Sequence, residues 1–169
     1  MADLFGRLAV ALDASDAQVK FAILAGRFED YGPVLGGAVL KTLRSAEDLQ
    51  FSTEGAAFGG DWPPLAPSTL AAKERAGLGN RPMMVRTALL RNSLTTRAAG
   101  SIAEVSRFAL VFGTSVPYAV YHQQTTGPGK GIIPLRQLIP QENGELPAAI
   151  QSEIAGNIRD YLVEGRISE

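Results

Sequence analysis

The chain has no cysteine, one histidine and one tryptophan in 169 residues. Without cysteine there is neither a disulfide nor a thiolate metal site, which suits assembly in a reducing cytoplasm. One histidine builds no ordinary zinc site unless several carboxylates join it, so no metal and no cofactor is expected. No apolar run approaches the ~18 residues of a membrane span, and the start Met1-Ala2-Asp3-Leu4 lacks a basic leader region. Neither a membrane partner nor a signal peptide is therefore expected. There is no Gly-x-Ser-x-Gly elbow for a serine nucleophile. Gly127-Pro128-Gly129-Lys130-Gly131 imitates a phosphate cradle but has the wrong spacing, and Ile132 stands where a magnesium-binding hydroxyl belongs. It reads as a surface loop.

What is present is an ordinary globular composition, 46% hydrophobic and 20% charged, long enough to bury one core. We expect one domain over residues 1–169, with glycine-rich flexible loops at 52–60 and 125–131. The net charge of −1 hides a division. Residues 1–61 carry five basic and nine acidic side chains, residues 62–140 nine and two, and residues 141–169 two and six. A basic middle between acidic flanks fits pairing with a neighbouring copy, or a surface turned to nucleic acid, and equally a solvated surface.

The chain is organised around Asp61 to Leu94. Trp62-Pro63-Pro64 must be extended, because proline donates no backbone hydrogen bond and drives its predecessor out of the helical region. Pro67 opens a short helix over Leu70–Arg75 that stops at Gly77 and Gly79. Trp62 and Leu65 are the expected anchors of this connection in the core. Before it, Leu8–Leu12 reads as a strand, Asp16 or Ser15 caps a helix carrying Val19, Ile23 and Phe28, and Val34–Phe51 reads as a longer helix weakened by Gly36-Gly37. After it come a helix over Thr87–Leu94, with Leu89, Leu90 and Leu94 inward and Arg86, Arg91 and Arg97 outward, and strands at Ala103–Ser106 and Phe108–Gly113. Val116–Gln124 reads as one helix, Ile132–Ile139 as an edge strand, and Leu146–Val163 as an amphipathic helix. The expected class is α+β: two N-terminal helices, a small antiparallel sheet of three or four strands, and a C-terminal helix packed on it.

Catalytic chemistry is thin. His122 follows Tyr118 and Tyr121 on a packed helix, where a structural hydrogen bond outweighs acid–base work. The pairs Glu29-Asp30 and Glu47-Asp48 read as solvated faces. The competing functions are a small hydrolase-like enzyme using His122 as base with Glu104 or Glu142 orienting it, and a cellular nucleic-acid-binding module using Arg86, Arg91 and Arg97. No aromatics are interleaved with those arginines, which weakens the second. No catalytic residue is assigned.

Three stretches carry a resemblance, in order. They are Trp62-Pro-Pro-Leu-Ala-Pro-Ser-Thr-Leu-Ala-Ala-Lys73 with Val85-Arg-Thr-Ala-Leu-Leu-Arg-Asn-Ser-Leu94, then Val111-Phe-Gly-Thr114 with Val116-Pro-Tyr-Ala-Val-Tyr-His-Gln123, then Ile132-Ile-Pro-Leu-Arg136. Together they resemble the virion-morphogenesis family of tailed phages, the tail-completion or minor tail proteins of Mu-like phages and prophages. Ala88 stands where the family usually has glycine, and Pro134-Leu135-Arg136 departs from its Pro-Ala-Arg. The resemblance implies a structural virion protein acting at the head–tail junction, or neck, and not an enzyme. It also implies assembly in the host cytoplasm as a ring, commonly of six copies, around the DNA path. Implied partners are the chain itself, the head–tail connector, the tail terminator or tail tube, and non-specifically the genomic DNA in the lumen. Trp62, Leu65, Arg86, Arg91, Arg97, Tyr118, His122, Gln123, Pro134 and Arg136 are the expected structural and interaction residues.

Overall fold

The computed structural model describes residues 15–124, 134–140 and 145–167, with the side chains of residues 15–17 and 124 excepted. The Leu8–Leu12 strand and the 125–131 loop lie outside the described residues. Helix α1 spans Ser15–Glu29. A second rod follows directly, made of α2 (Gly32–Val34), a π turn over Leu35–Val39, and α3 (Leu40–Ser52). Pro33 sits in the first turn, where its missing N–H costs nothing. The widened turn falls on Gly36-Gly37, so the weak point of the expected helix is absorbed as a π bulge and not as a break.

Ser52–Gly60 is a hydrogen-bonded corner. Gly55 N–H bonds Gln50 O at 3.0 Å, Phe58 N–H bonds Gln50 Oε1 at 3.0 Å, and Trp62 N–H bonds Glu54 O at 2.7 Å. Gly55 has φ +108°, and a Cβ there would lie 2.6 Å from Trp62 Cδ1, so only glycine fits. Helix α4 then runs Pro67–Arg75, α5 Leu89–Thr95, and a hairpin pairs β1 (Ser101–Val105) with β2 (Leu110–Thr114). Short α6 (Ala119–Gln124) and long α7 (Ala148–Glu164) complete the described chain.

Several expectations are corrected. Among the described residues the sheet has two strands, in the register Ser101↔Thr114 to Val105↔Leu110. The strands are Ser101–Val105 and Leu110–Thr114, not Ala103–Ser106 and Phe108–Gly113, so Ser106–Ala109 forms the turn. Residues 134–140 are not a strand. Their backbone is consumed by side chains from elsewhere, as described below. The α6 helix starts at Ala119, three residues late, because Pro117 interrupts the run from Val116.

Two buried clusters share the rod. Val34, Ala38 and Val39 meet Tyr161 of α7, with Leu110 of β2 against the same cluster, so the C-terminal helix packs on the rod. Phe51, at the other end of α3, joins Trp62, Met83, Val85, Leu90, Leu94, Val116, Ala119 and Leu138. Leu49 and Leu89 are exposed, against expectation, since both stand on the outer sides of their helices. The apolar residues Val19, Phe21, Ile23 and Phe28 of α1 are exposed as well. Asp48 lies at the surface as expected, but Glu47 does not: it is 2% exposed, on the side of α3 facing the core.

Candidate functional site: an apolar groove and its supports

The Trp-Pro-Pro stretch ends buried at its first residue and exposed at its two prolines. Trp62 is 5% exposed, stacks edge-on against Phe51 with ring centroids 5.5 Å apart, and donates from Nε1 to Gln137 O at 2.9 Å. Gln50 Nε2, itself buried, donates to the same carbonyl at 2.8 Å. Arg136 reaches back from the last motif. Its Nε and Nη2 donate to Pro63 O at 3.2 and 2.9 Å, Nη2 also approaches Pro64 O at 3.4 Å, and Nε lies 3.2 Å from Met83 Sδ. Gln123 of α6 holds the same segment. Its Oε1 accepts from Leu138 N–H at 2.9 Å, and its Nε2 donates to Ile139 O. Segment 134–140 thus has no strand partner because the side chains of Trp62, Gln50 and Gln123, with the His122 carbonyl, take up its backbone groups.

These supports hold open a groove of about 970 Å³ beneath α4. Leu65, Arg86, Tyr118, His122, Pro134 and Arg136 all line it, with Met84 and Leu89 supplying apolar wall. Six of the ten residues singled out in the sequence meet here. Trp62 and Gln123 lie behind the wall, bonded to the segment that carries Arg136. Among the described residues the groove's lining includes Lys73 and two arginines but no carboxylate. Helix α4, its roof, buries none of its own residues, and Lys73 Nζ to Arg81 O at 2.6 Å ties it to the following loop. Two wall residues, Met84 and Ala88, hold φ of +62° and +61° without being glycine, a local strain of the kind found at ligand clamps.

His122 does not sit in an acid–base pair. Its Nδ1 is buried and unpartnered, and its pKa is lowered, first by burial and then by the charge of Arg136. It is neutral at pH 7. Glu104 stands on β1 opposite Val111 and makes no described hydrogen bond to it, and Glu142 lies outside the described residues. Among the described residues no group of three or more side chains is placed to hold a metal ion, and no helix is long and apolar enough to cross a membrane.

The three arginines grouped as one outward face occupy three settings. Arg86 rims the groove. Arg91 is bound bidentately to Asp48 Oδ1, at 3.1 Å from Nε and 2.7 Å from Nη2. Arg97 lines a separate recess beside the π turn. Sequence spacing gave no sign of this, because α5 ends at Thr95 and the chain turns before Arg97.

The family model for phage virion morphogenesis matches residues 17–162. The chain belongs to the phage virion morphogenesis family. Comparison with curated proteins and with solved structures returned no match. The match spans α1 through nearly all of α7, so the groove, its supports and both clusters lie within the part shared with the family. As a virion morphogenesis protein the chain has a structural role in the phage particle.

Proposed function

We propose that the protein completes the phage tail at the head–tail junction, assembling with copies of itself into a ring, commonly of six, around the DNA path. The groove carries this reading. Among the described residues its lining is mostly apolar and free of carboxylates, and it draws on the stretches that carry the resemblance. A motif that served only the core would converge on the core. These stretches fill the core with Trp62, Val85, Leu90, Leu94, Val116 and Ala119, and they also bring Leu65, Arg86, Tyr118, His122, Pro134 and Arg136 to an open surface. A groove of one copy and a separate patch of the next make a heterologous contact, the kind that closes into rings. The acidic flanks and basic middle add weak pairs, each worth about 0.2–1 kcal/mol, that six-fold repetition multiplies. The connector, the tail terminator and the tube are the neighbours such a ring would meet, with genomic DNA passing through its lumen.

Sedimentation velocity on the purified chain, and complementation of a phage lacking the gene, test the reading together. Leu65→Glu, at a residue also packed against the larger cluster, and Tyr118→Glu, at an exposed one, place a charge in the groove. Folded variants that fail to complement are expected. Full infectivity from both would remove the groove from the function. Arg86→Glu, Arg91→Glu and Arg97→Glu, tested singly, show which of the three settings the particle needs.

A further inference from the structure

One buried polar edge has nothing to bond. Arg44 leaves α3 toward the recess beside the π turn, and its Nε and Nη2 are both buried and both without a partner. These atoms form one edge of the guanidinium, two near-parallel N–H donors. The same edge is filled on Arg91 by Asp48, on Arg159 by Asp160, and on Arg136 by the carbonyl of Pro63. Buried charged donors left unmade are more costly than neutral ones, so a buried fork without a partner points to an absent acceptor.

The surroundings say what the acceptor is. The recess has a volume of about 620 Å³, with Gly36-Gly37 at one side, Thr96 at another and Arg97 in its wall. An adjoining recess of about 460 Å³ shares Gly36, Leu40, Arg44 and Arg97, and includes Ser101, whose Oγ is also buried and unpartnered. Burial lowers the pKa of Arg44, and the like charge of Arg97 lowers it further, so the pocket is short of negative charge. The nearby carboxylates do not supply it. Asp48 is engaged by Arg91, and Glu47 is kept neutral by its own burial. The π turn leaves glycines, and no side chain of residues 36 and 37, against the opening.

We propose that this recess is an oxyanion seat, and that its ligand is a carboxylate side chain of a second copy of the chain, held by the Nε/Nη2 fork of Arg44 and the charge of Arg97. This rests on the self-assembly reading above. A carboxylate matches the two parallel donors in plane. A duplex backbone is met by protruding cations, whereas this fork is recessed and needs a projecting side chain, toward which Arg44 turns outward as it docks. The acidic flanks, with nine and six carboxylates against five and two cations, supply the projecting groups.

The Arg44 Nε–H resonance reports the seat directly, assigned by its loss in Arg44→Gln. Sodium acetate, titrated against sodium chloride at equal ionic strength, is expected to move it saturably, and less so in Arg97→Gln. In sedimentation velocity, Arg44→Gln and Arg97→Gln are expected to weaken self-association by tenfold or more, while circular dichroism stays that of the parent chain. An Nε–H resonance indifferent to acetate overturns the seat, whatever the assembly state. A response to acetate in a parent chain that stays monomeric at every concentration overturns the second copy as the ligand's source. A response to duplex DNA but not to acetate overturns the carboxylate in favour of a phosphate.

Discussion

Arg136 and Pro63, 73 positions apart in the chain, are joined by two hydrogen bonds from one guanidinium to one carbonyl, at 3.2 and 2.9 Å. A proline pair presents carbonyls without matching N–H groups, and here those carbonyls are claimed by the arginine of a distant motif. That relationship explains why the Trp-Pro-Pro and Ile-Pro-Leu-Arg stretches belong together. The first makes an extended backbone that cannot pair as a strand, and the second carries the donor that fixes it. Arg136 is 5% exposed, and burial lowers its pKa without neutralising it.

Arg136→Lys keeps the charge and loses the planar fork, so it cannot hold Pro63 O, Pro64 O and Met83 Sδ at once. A loss of about 2–3 kcal/mol in urea unfolding is expected. Arg136→Met, which also leaves both carbonyls bare, is expected to lose no less. A lysine variant as stable as the parent would show the staple to be idle.

Trp62 separates packing from hydrogen bonding. Trp62→Ala removes the edge contact with Phe51 and opens a cavity in the larger cluster, for an expected loss of about 3–5 kcal/mol. Trp62→Phe is expected to cost only about 1 kcal/mol, because Gln137 O keeps its bond from Gln50. Thermal or urea unfolding of the two variants checks both values. Equal losses would mean that the indole N–H, and not the ring, is the anchor.

Long, strongly periodic segments were legible in the sequence: α1, the α2–α3 rod and α7 all lie where apolar spacing puts them. The hairpin was legible in type but not in turn, since a short apolar run does not mark where pairing ends. Residues 134–140 misled because Ile132 to Ile139 has strand composition, while its backbone partners are Trp62, Gln50 and Gln123, invisible from local pattern. Leu65, Tyr118, His122 and Arg136 could be named from the motifs, but nothing in their spacing showed that they would line one groove. Arg44 carried no signal at all. A cation on a helix reads as solvated surface, and only the structure shows its donor edge buried and empty.

Ala88 sits at φ +61°, ψ 1°, immediately before α5, in the left-handed region that penalises any Cβ. It occupies the position at which the resemblance implies a glycine. Ala88→Gly relieves the strain while adding some unfolded-state entropy, and a net stabilisation of about 1 kcal/mol is expected. Ala88→Val should destabilise by more than that. A glycine variant less stable than the parent would show that the surrounding packing has removed the strain.

Glu47 gives the chain an unusual dependence on pH. Burial raises its carboxyl from 4.5 to about 9, and Oε2 has no partner. Below pH 4.5 the carboxyl is protonated in both the folded and unfolded chain, and the site costs nothing. Between 4.5 and about 9 the unfolded chain releases the proton while the folded chain keeps it. Stability therefore falls as pH rises, by up to about 1.4 kcal/mol per unit, and levels off only above the folded value. Ordinary surface carboxylates do not behave this way, so the difference between parent and Glu47→Gln isolates the site. The glutamine variant, neutral throughout, is expected to match the parent near pH 4 and to exceed it by about 3 kcal/mol at pH 7. Urea unfolding of both proteins at half-unit steps from pH 4 to 9 measures the gap. A gap that stays constant across that range would mean that Glu47 ionises as readily folded as unfolded, and that its burial is relieved as the carboxylate forms.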